Sequence, residues 1–198
     1  MAYHLIIQPF DSDFNFLEDM GNQAKVVYKP KIKTFEVLPK VKLPEHVLTF
    51  KEDYFSKCLI EDVILKLDGS AKEEIKKHYE AGEKMVYVED IFNEMTNHWA
   101  FNSNEIFIGI LSYFVFGLMD MPNGQAERDA NMAIASTFGI KNHLSEVSIG
   151  IALHEIGHDL GLDHCKNKDC LMRKPSTFED FYEGVYKLCE KHAKQISE

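Results

Sequence analysis

Residues 154–164 read His154-Glu155-Ile156-Gly157-His158-Asp159-Leu160-Gly161-Leu162-Asp163-His164, and this string restricts the chain more than any other. From Leu144 to Leu160 the apolar residues Val147, Ile151, Ile156 and Leu160 fall at helical spacing, with Ser145 as the candidate N-cap. Side chains four apart on a helix stand one turn above another, so His154 and His158 address the same point. Two neutral imidazoles so placed bind one zinc ion. Glu155, one residue on, points beside the metal, where it can take a proton from a zinc-activated water as general base. Gly161 suits a left-handed turn at the helix end, and that turn swings His164 back towards the same ion as third ligand. Three protein ligands leave one position open, the arrangement of a catalytic zinc and not of a structural one.

The rest of the composition narrows the setting. With 198 residues, 45% of them hydrophobic, the chain is expected to fold as a single domain over 1–198, divided into 1–161 with the helix and a small C-terminal part, 162–198. Thirty-two acidic residues against 22 basic ones give a net charge of −10, which repels phosphates and excludes general nucleic-acid binding. The longest apolar stretch, Ile106 to Met119, is interrupted by Ser112 and Tyr113 and is too short for a bilayer, so no membrane partner is expected. The opening MAYHLIIQPF has no cationic segment and no small-residue cleavage site, and no stretch reads as a propeptide over a cleft. A cytoplasmic monomer is the default, its four cysteines reduced and available for metal or catalysis.

Strands and helices alternate, which favours an α/β layered fold. Tyr3 to Gln8 reads as a buried strand. Val26 to Leu38, with Lys29, Pro30, Lys31 and Lys33, reads as an edge strand or hairpin. Glu52 to Leu67 and Ala71 to Ala81 have helical patterns, Met85 to Val88 and Ile106 to Phe116 read as strands, and Thr96 to Glu105 as a polar loop. Phe178 to Ile196 reads as an amphipathic helix with Phe178, Phe181, Tyr182, Val185 and Leu188 inward and a capping box at Ser176 and Glu179. Cys189 and His192, three apart, would share one face of it.

The string His154 to His164 is the metzincin signature, and the residues beyond it narrow the resemblance. Cys165 comes at once, then Cys170 and Met172, and Cys189 opens a C-x-x-H ending at His192. This continuation, over about 145–192, resembles the archaemetzincins, and Phe114-Val115-Phe116-Gly117 is similar to a strand segment of that family. Two departures stand out: the spacing after Met172 is one residue short of the usual, and His192 stands where the family has its fourth cysteine.

The resemblance implies a compact metzincin-like α/β domain. Helices would pack on a mixed twisted sheet, the ligand helix would floor a cleft beneath an edge strand, and a short C-terminal subdomain would complete it. It also implies a second, structural Zn2+ held by Cys165, Cys170, Cys189 and His192, with Cys58 as the competitor for the fourth place. Met172 would be the Met-turn beneath the catalytic zinc. The implied activity is that of a zinc metallopeptidase acting on a peptide or small protein substrate. The alternatives are a zinc hydrolase of a non-peptide amide and a non-catalytic zinc-bearing module that binds peptides. Asp163 reads as a solvated carboxylate, with support of a histidine as its alternative role. Arg128 and Arg173 read as surface arginines within reach of a substrate carboxylate.

Overall fold

The computed structural model describes residues 2–48, 73, 77, 78, 80–98, 102–116, 123–173 and 178–198. In chain order the elements are β1 (Tyr3–Pro9), α1 (Leu17–Val27), β2 (Ile32–Val37), α2 (Glu45–Leu48), β3 (Met85–Tyr87), α3 (Val88–His98), β4 (Glu105–Leu111) and β5 (Phe114–Phe116). They continue with β6 (Gly124–Glu127), a 3-10 turn (Arg128–Ala130), β7 (Met132–Ser136), α4 (Leu144–Asp159), a second 3-10 turn (Phe178–Phe181) and α5 (Glu190–Ser197). Two compact units form: 1–41 with 101–112 and 124–198, and 42–100 with 113–123.

The first unit is built on a mixed five-stranded sheet in the order β2-β1-β4-β7-β6. The first four strands run parallel, and β6 closes one edge antiparallel to β7. Parallel strands covered by helices read as continuous apolar runs. Ile106, Ile108 and Ile110 of β4 and Leu5 and Ile7 of β1 are wholly buried, and they join Val147, Leu153 and Ile156 of α4 in one core. α4 packs on β7, β6 and β4, with α1 beside it. The second unit holds α2, α3 and a two-stranded parallel sheet of β3 and β5. Among the described residues no helix is long and apolar enough to cross a membrane.

Several local expectations need correction. The segment Val26 to Leu38 is the end of a helix followed by one edge strand: α1 reaches Val27 and β2 begins at Ile32. Ile106 to Phe116 is broken at Ser112 into β4 and β5, which belong to different sheets. Strand β3 ends at Tyr87, and Val88 opens a helix that takes in Thr96 to His98 of the expected loop. Ser145 is inside the first turn of α4, because the residue before the helix is His143 in the left-handed region (φ 52°), without a side-chain cap. Phe178 to Ile196 is not one helix. Gly184, at φ +61°, turns the chain after the second 3-10 turn, Val185 is exposed, and only Glu190–Ser197 is helical. The pattern at Glu52 to Leu67, with Cys58, and most of Ala71 to Ala81 lie outside the described residues, as does Ser176.

Candidate functional site

Every residue of α4 from Val147 to Asp159 is buried. A helix in that position must be apolar all round and must admit close neighbours. Gly150 and Gly157 serve the second need: a Cβ at Gly150 would strike the Phe181 ring, and one at Gly157 would strike Met172 Sδ and stand 2.7 Å from the Tyr28 hydroxyl. Each mid-helix glycine costs about 1 kcal/mol against alanine, which the closer packing has to offset. Five polar side chains, Ser148, His154, Glu155, His158 and Asp159, share this apolar surrounding. Burial of such groups is costly unless each finds a partner.

The helix ends as the sequence predicts. Gly161 takes φ +85°, Leu162 N–H donates to Gly157 O (2.9 Å) and Gly161 N–H to His158 O (2.9 Å), which is the Schellman pattern. The cap has a second effect, because it delivers Leu162 O to the Nδ1–H of His158 at 2.8 Å. His154 Nδ1–H donates to Leu171 O, also at 2.8 Å. The tautomer with Nδ1–H on both rings, donating to these carbonyls, is the one that would leave both Nε2 atoms as bare lone pairs.

Those lone pairs converge with a third. His154 and His158 Nε2 lie 3.1 Å apart, and His164 Nε2 is 3.2 Å from the first and 3.3 Å from the second. In that tautomer His154 and His158 Nε2 would both be acceptors and could not hydrogen-bond to each other, and a cation between them would make their approach favourable. Tetrahedral ligands about 2.05 Å from a zinc ion lie about 3.3 Å from one another. The residues present fit a three-histidine site. Desolvation lowers the His154 imidazole to about 4 and lowers that of His158, so burial keeps both neutral, as ligation requires. His164 is exposed, so the point of convergence opens outward.

A second cluster begins at the next residue, Cys165. The ligating atoms of Cys165, Cys170, Cys189 and His192 are all within 4.8 Å of one another. Cys165 and Cys189 Sγ are 3.8 Å apart, and Cys170 Sγ is 3.3 Å from His192 Nδ1. Zinc with bonds of about 2.3 Å to sulfur and 2.05 Å to nitrogen would place these pairs about 3.8 and 3.6 Å apart. Backbone N–H groups of Cys189 and Asn167 donate to Cys170 and Cys165 Sγ, as they would to thiolates. Burial pushes the Cys170 thiol up to about 11, whereas the N–H of His192 leads the contacts that lower Cys189. His164 and Cys165 are neighbours in sequence and face different clusters.

Glu155 is buried one residue past His154, beside the start of β6. An ideal Cβ on Gly124 would come 2.8 Å from both Cγ and Oε1 of Glu155, so the strand fits only without a side chain there. Met172 packs beneath Gly157, and its Sδ is 3.9 Å from the Tyr28 hydroxyl, which donates to Leu153 O at 2.5 Å. Tyr28 is wholly buried and pins the carbonyl just before His154.

The structure brings together every residue expected at each metal cluster and adds some that were not expected. Arg128 is not a free surface arginine: Nη1 donates to Asp163 Oδ1 (2.9 Å) and Nη2 to Leu162 O (3.0 Å), with His158 Nδ1 2.8 Å away. Asp163, though exposed, is therefore paired, and the Arg128 guanidinium holds its carboxyl below the usual range. Arg173 pairs with Asp180. Only two of the 22 basic residues are arginines, a scarcity that hints at sites needing a planar fork. Asp159 is buried with neither oxygen hydrogen-bonded, and desolvation, with Glu155 nearby, raises its carboxyl well above the ordinary range. Tyr28, Gly124 and Asp159 gave no sequence signal beyond their residue types.

Known proteins share this fold. The model of Peptidase family M54 matches residues 3–198. The archaemetzincin of Methanocaldococcus jannaschii is 27% identical over 168 residues, 82% of this chain and 77% of that one. That of Sulfolobus acidocaldarius is 38% identical over 73 residues, 34% of this chain and 38% of its own. Among solved structures, the archaemetzincin of Methanopyrus kandleri superposes with a TM-score of 0.65 at 16% identity, covering 99% of this chain and 94% of that one. The archaemetzincin of Archaeoglobus fulgidus gives 0.63 at 19% identity, covering 97% and 99%. The structures share the fold, and the family match spans nearly the whole sequence. The chain belongs to peptidase family M54, the archaemetzincins.

Proposed function

We propose that this metallopeptidase hydrolyses peptide bonds at a zinc held by His154, His158 and His164, with Glu155 as general base. Cys165, Cys170, Cys189 and His192 hold a second, structural zinc. The observation that carries the reading is the triangle of three Nε2 atoms 3.1–3.3 Å apart, with the Nδ1 atoms of His154 and His158 each 2.8 Å from a carbonyl that can accept their N–H.

When bound, the catalytic zinc supplies a Lewis acid that polarises the scissile carbonyl and acidifies the attacking water. Glu155 takes the proton of that water on its carboxylate and passes it to the leaving amine. Its burial against Gly124 restricts the carboxylate to one place, which is what an efficient base needs. Met172 lies under the ligand helix as the hydrophobic base of the site. The edge strand β6 begins beside Glu155, so a substrate in extended form can pair with it through main-chain hydrogen bonds. The Cys165–His192 cluster staples the start of α5 to the segment after His164. The whole chain acts as one peptidase domain, supported by a family match from 3 to 198, and as a cytoplasmic monomer.

The test is incubation of the metal-loaded protein with a diverse peptide library, with cleavage products read by mass spectrometry. A Glu155→Ala protein shown to carry the same metal is the control. Cleavage by the native protein alone is the expected result. No cleavage by native protein holding both metals would overturn the reading.

A further inference from the structure

We propose that Arg128 is a positioning residue of the three-histidine site, a clamp that sets the turn at 161–164 so that His158 and His164 reach a single ion. The inference deepens the zinc-peptidase reading and rests on it for the identity of the ion.

Arg128 opens the 3-10 turn between β6 and β7 and reaches across to the segment that leaves α4. Leu162 O, His158 Nδ1 and Arg128 Nη2 form one close group: Leu162 O is 2.8 Å from Nδ1 and 3.0 Å from Nη2, and Nη2 is itself 2.8 Å from Nδ1. A carbonyl oxygen has two lone pairs and can accept from both nitrogens. The guanidinium thus helps fix the carbonyl beside His158 Nδ1. Its other arm, Nη1, holds Asp163 Oδ1 at 2.9 Å, one residue before His164. Backbone bonds tie Leu162 N to Gly157 O and Cys165 N to Met172 O, each at 2.8–2.9 Å. Arg128 holds the residue after the first of these anchors and before His164. A planar fork with two parallel arms can grip a carbonyl and a carboxylate together, and a lysine ammonium cannot reproduce that geometry.

Stability alone does not explain the arrangement. The Asp163 carboxylate is largely exposed, and exposed ion pairs add little to stability. Partners that orient metal ligands have a larger effect on the metal, since their loss typically costs about 10–100-fold in affinity. The two roles are therefore separable by experiment.

The full chain is loaded with zinc, and in parallel with Co2+, as native protein, Arg128→Ala, Arg128→Lys and Asp163→Asn. Affinity at the histidine site is measured by competition with a chromophoric chelator. Visible d–d bands report the Co2+ geometry there, and thiolate-to-metal charge-transfer bands report the cysteine site in the same sample. The expected result is about 10–100-fold weaker binding at the histidine site in Arg128→Ala with altered d–d bands. The cysteine-site bands and the urea midpoint of the metal-free protein should stay near native, with the affinities of Arg128→Lys and Asp163→Asn intermediate. Native affinity and native d–d bands in Arg128→Ala would overturn the proposal. Should that variant fail to fold, Arg128→Lys decides, because native affinity and native d–d bands with an ammonium in place of the fork would overturn the clamp. A native protein whose histidines bind neither metal would overturn the zinc reading itself, and the native sample alone shows this.

Discussion

Gly124 and Glu155 are in contact in a way that leaves no room for a side chain: a Cβ on Gly124 would stand 2.8 Å from both Cγ and Oε1 of Glu155. The backbone of an edge strand is thereby the wall beside Glu155, the proposed general base. Gly124→Ala should leave the metal clusters intact and shift the Glu155 carboxylate. A displacement of about 1 Å in a catalytic group can cost on the order of 100-fold in rate. Peptide-cleavage kcat should fall by about 10–100-fold with unchanged zinc content, measured by steady-state kinetics and metal analysis. A native kcat would remove the wall from the account.

Gly157 meets the opposite face of the same helix. A methyl group there would strike Met172 Sδ and approach the Tyr28 hydroxyl at 2.7 Å, both buried. Overpacking of this kind costs about 1–3 kcal/mol, which matches or exceeds the gain of about 1 kcal/mol in helix propensity from glycine to alanine. Gly157→Ala should therefore lower the urea-unfolding free energy in spite of its better helix propensity. A stabilised variant would show that the packing beneath α4 is loose.

Asp159 and the ligand histidines make opposite contributions to the pH dependence of the metal-free protein. His154, lowered to about 4, takes up its proton in the unfolded chain near 6.5 but not in the folded one, so its contribution is lost as pH falls from 6.5 towards 4. Asp159 is raised, so the folded chain holds a proton that the unfolded chain releases above 3.8, and its contribution is lost as pH rises. Asp159→Asn removes only the second effect. The stability of the metal-free variant relative to metal-free native protein should rise between pH 5 and pH 8, by urea titration at each pH. A constant difference would place the Asp159 carboxyl in an ordinary environment.

Much of the site was legible because its determinants are local. The i, i+4 histidines, the glycine cap and the cysteine spacing are all read within one helix and the turns after it, and the Schellman bonds at Gly161 follow from a single glycine. Arg128 was not legible in this way. Its partners are 30–35 residues away, and an arginine followed by an aspartate in a short turn looks like any exposed loop. Helix α1 was missed for a related reason. Gly21 and the exposed Val26 weaken its pattern, while the reason for Gly21 is the Phe35 ring of β2, which a Cβ would strike. The last helix was drawn too long because its apolar spacing outweighed Gly184, whose positive φ ends the turn. Even so, Cys189 and His192 meet, Cys189 preceding α5 in extended backbone and His192 in its first turn.

Chelation should separate the two clusters by rate. The histidine cluster has an exposed member in His164, whereas Cys170 and His192 of the other cluster are buried. On addition of a small chelator, one equivalent of zinc should leave quickly together with peptidase activity. A second should leave slowly, accelerated by a thiol-modifying reagent and accompanied by a drop in thermal midpoint. A single phase that removes both ions and activity together would contradict separate roles.

The central claim is that seven side chains divide between two ions at the peptide bond joining His164 to Cys165. X-ray absorption at the zinc edge with metal analysis tests it most directly, on native protein and on His164→Ala. The expected native result is two zinc ions per chain, with a shell of nitrogen, oxygen and sulfur ligands. In His164→Ala the loss of one ion should leave a sulfur-rich shell of three cysteines and one histidine. One ion per native chain, with histidines and cysteines in a single shell, would contradict it.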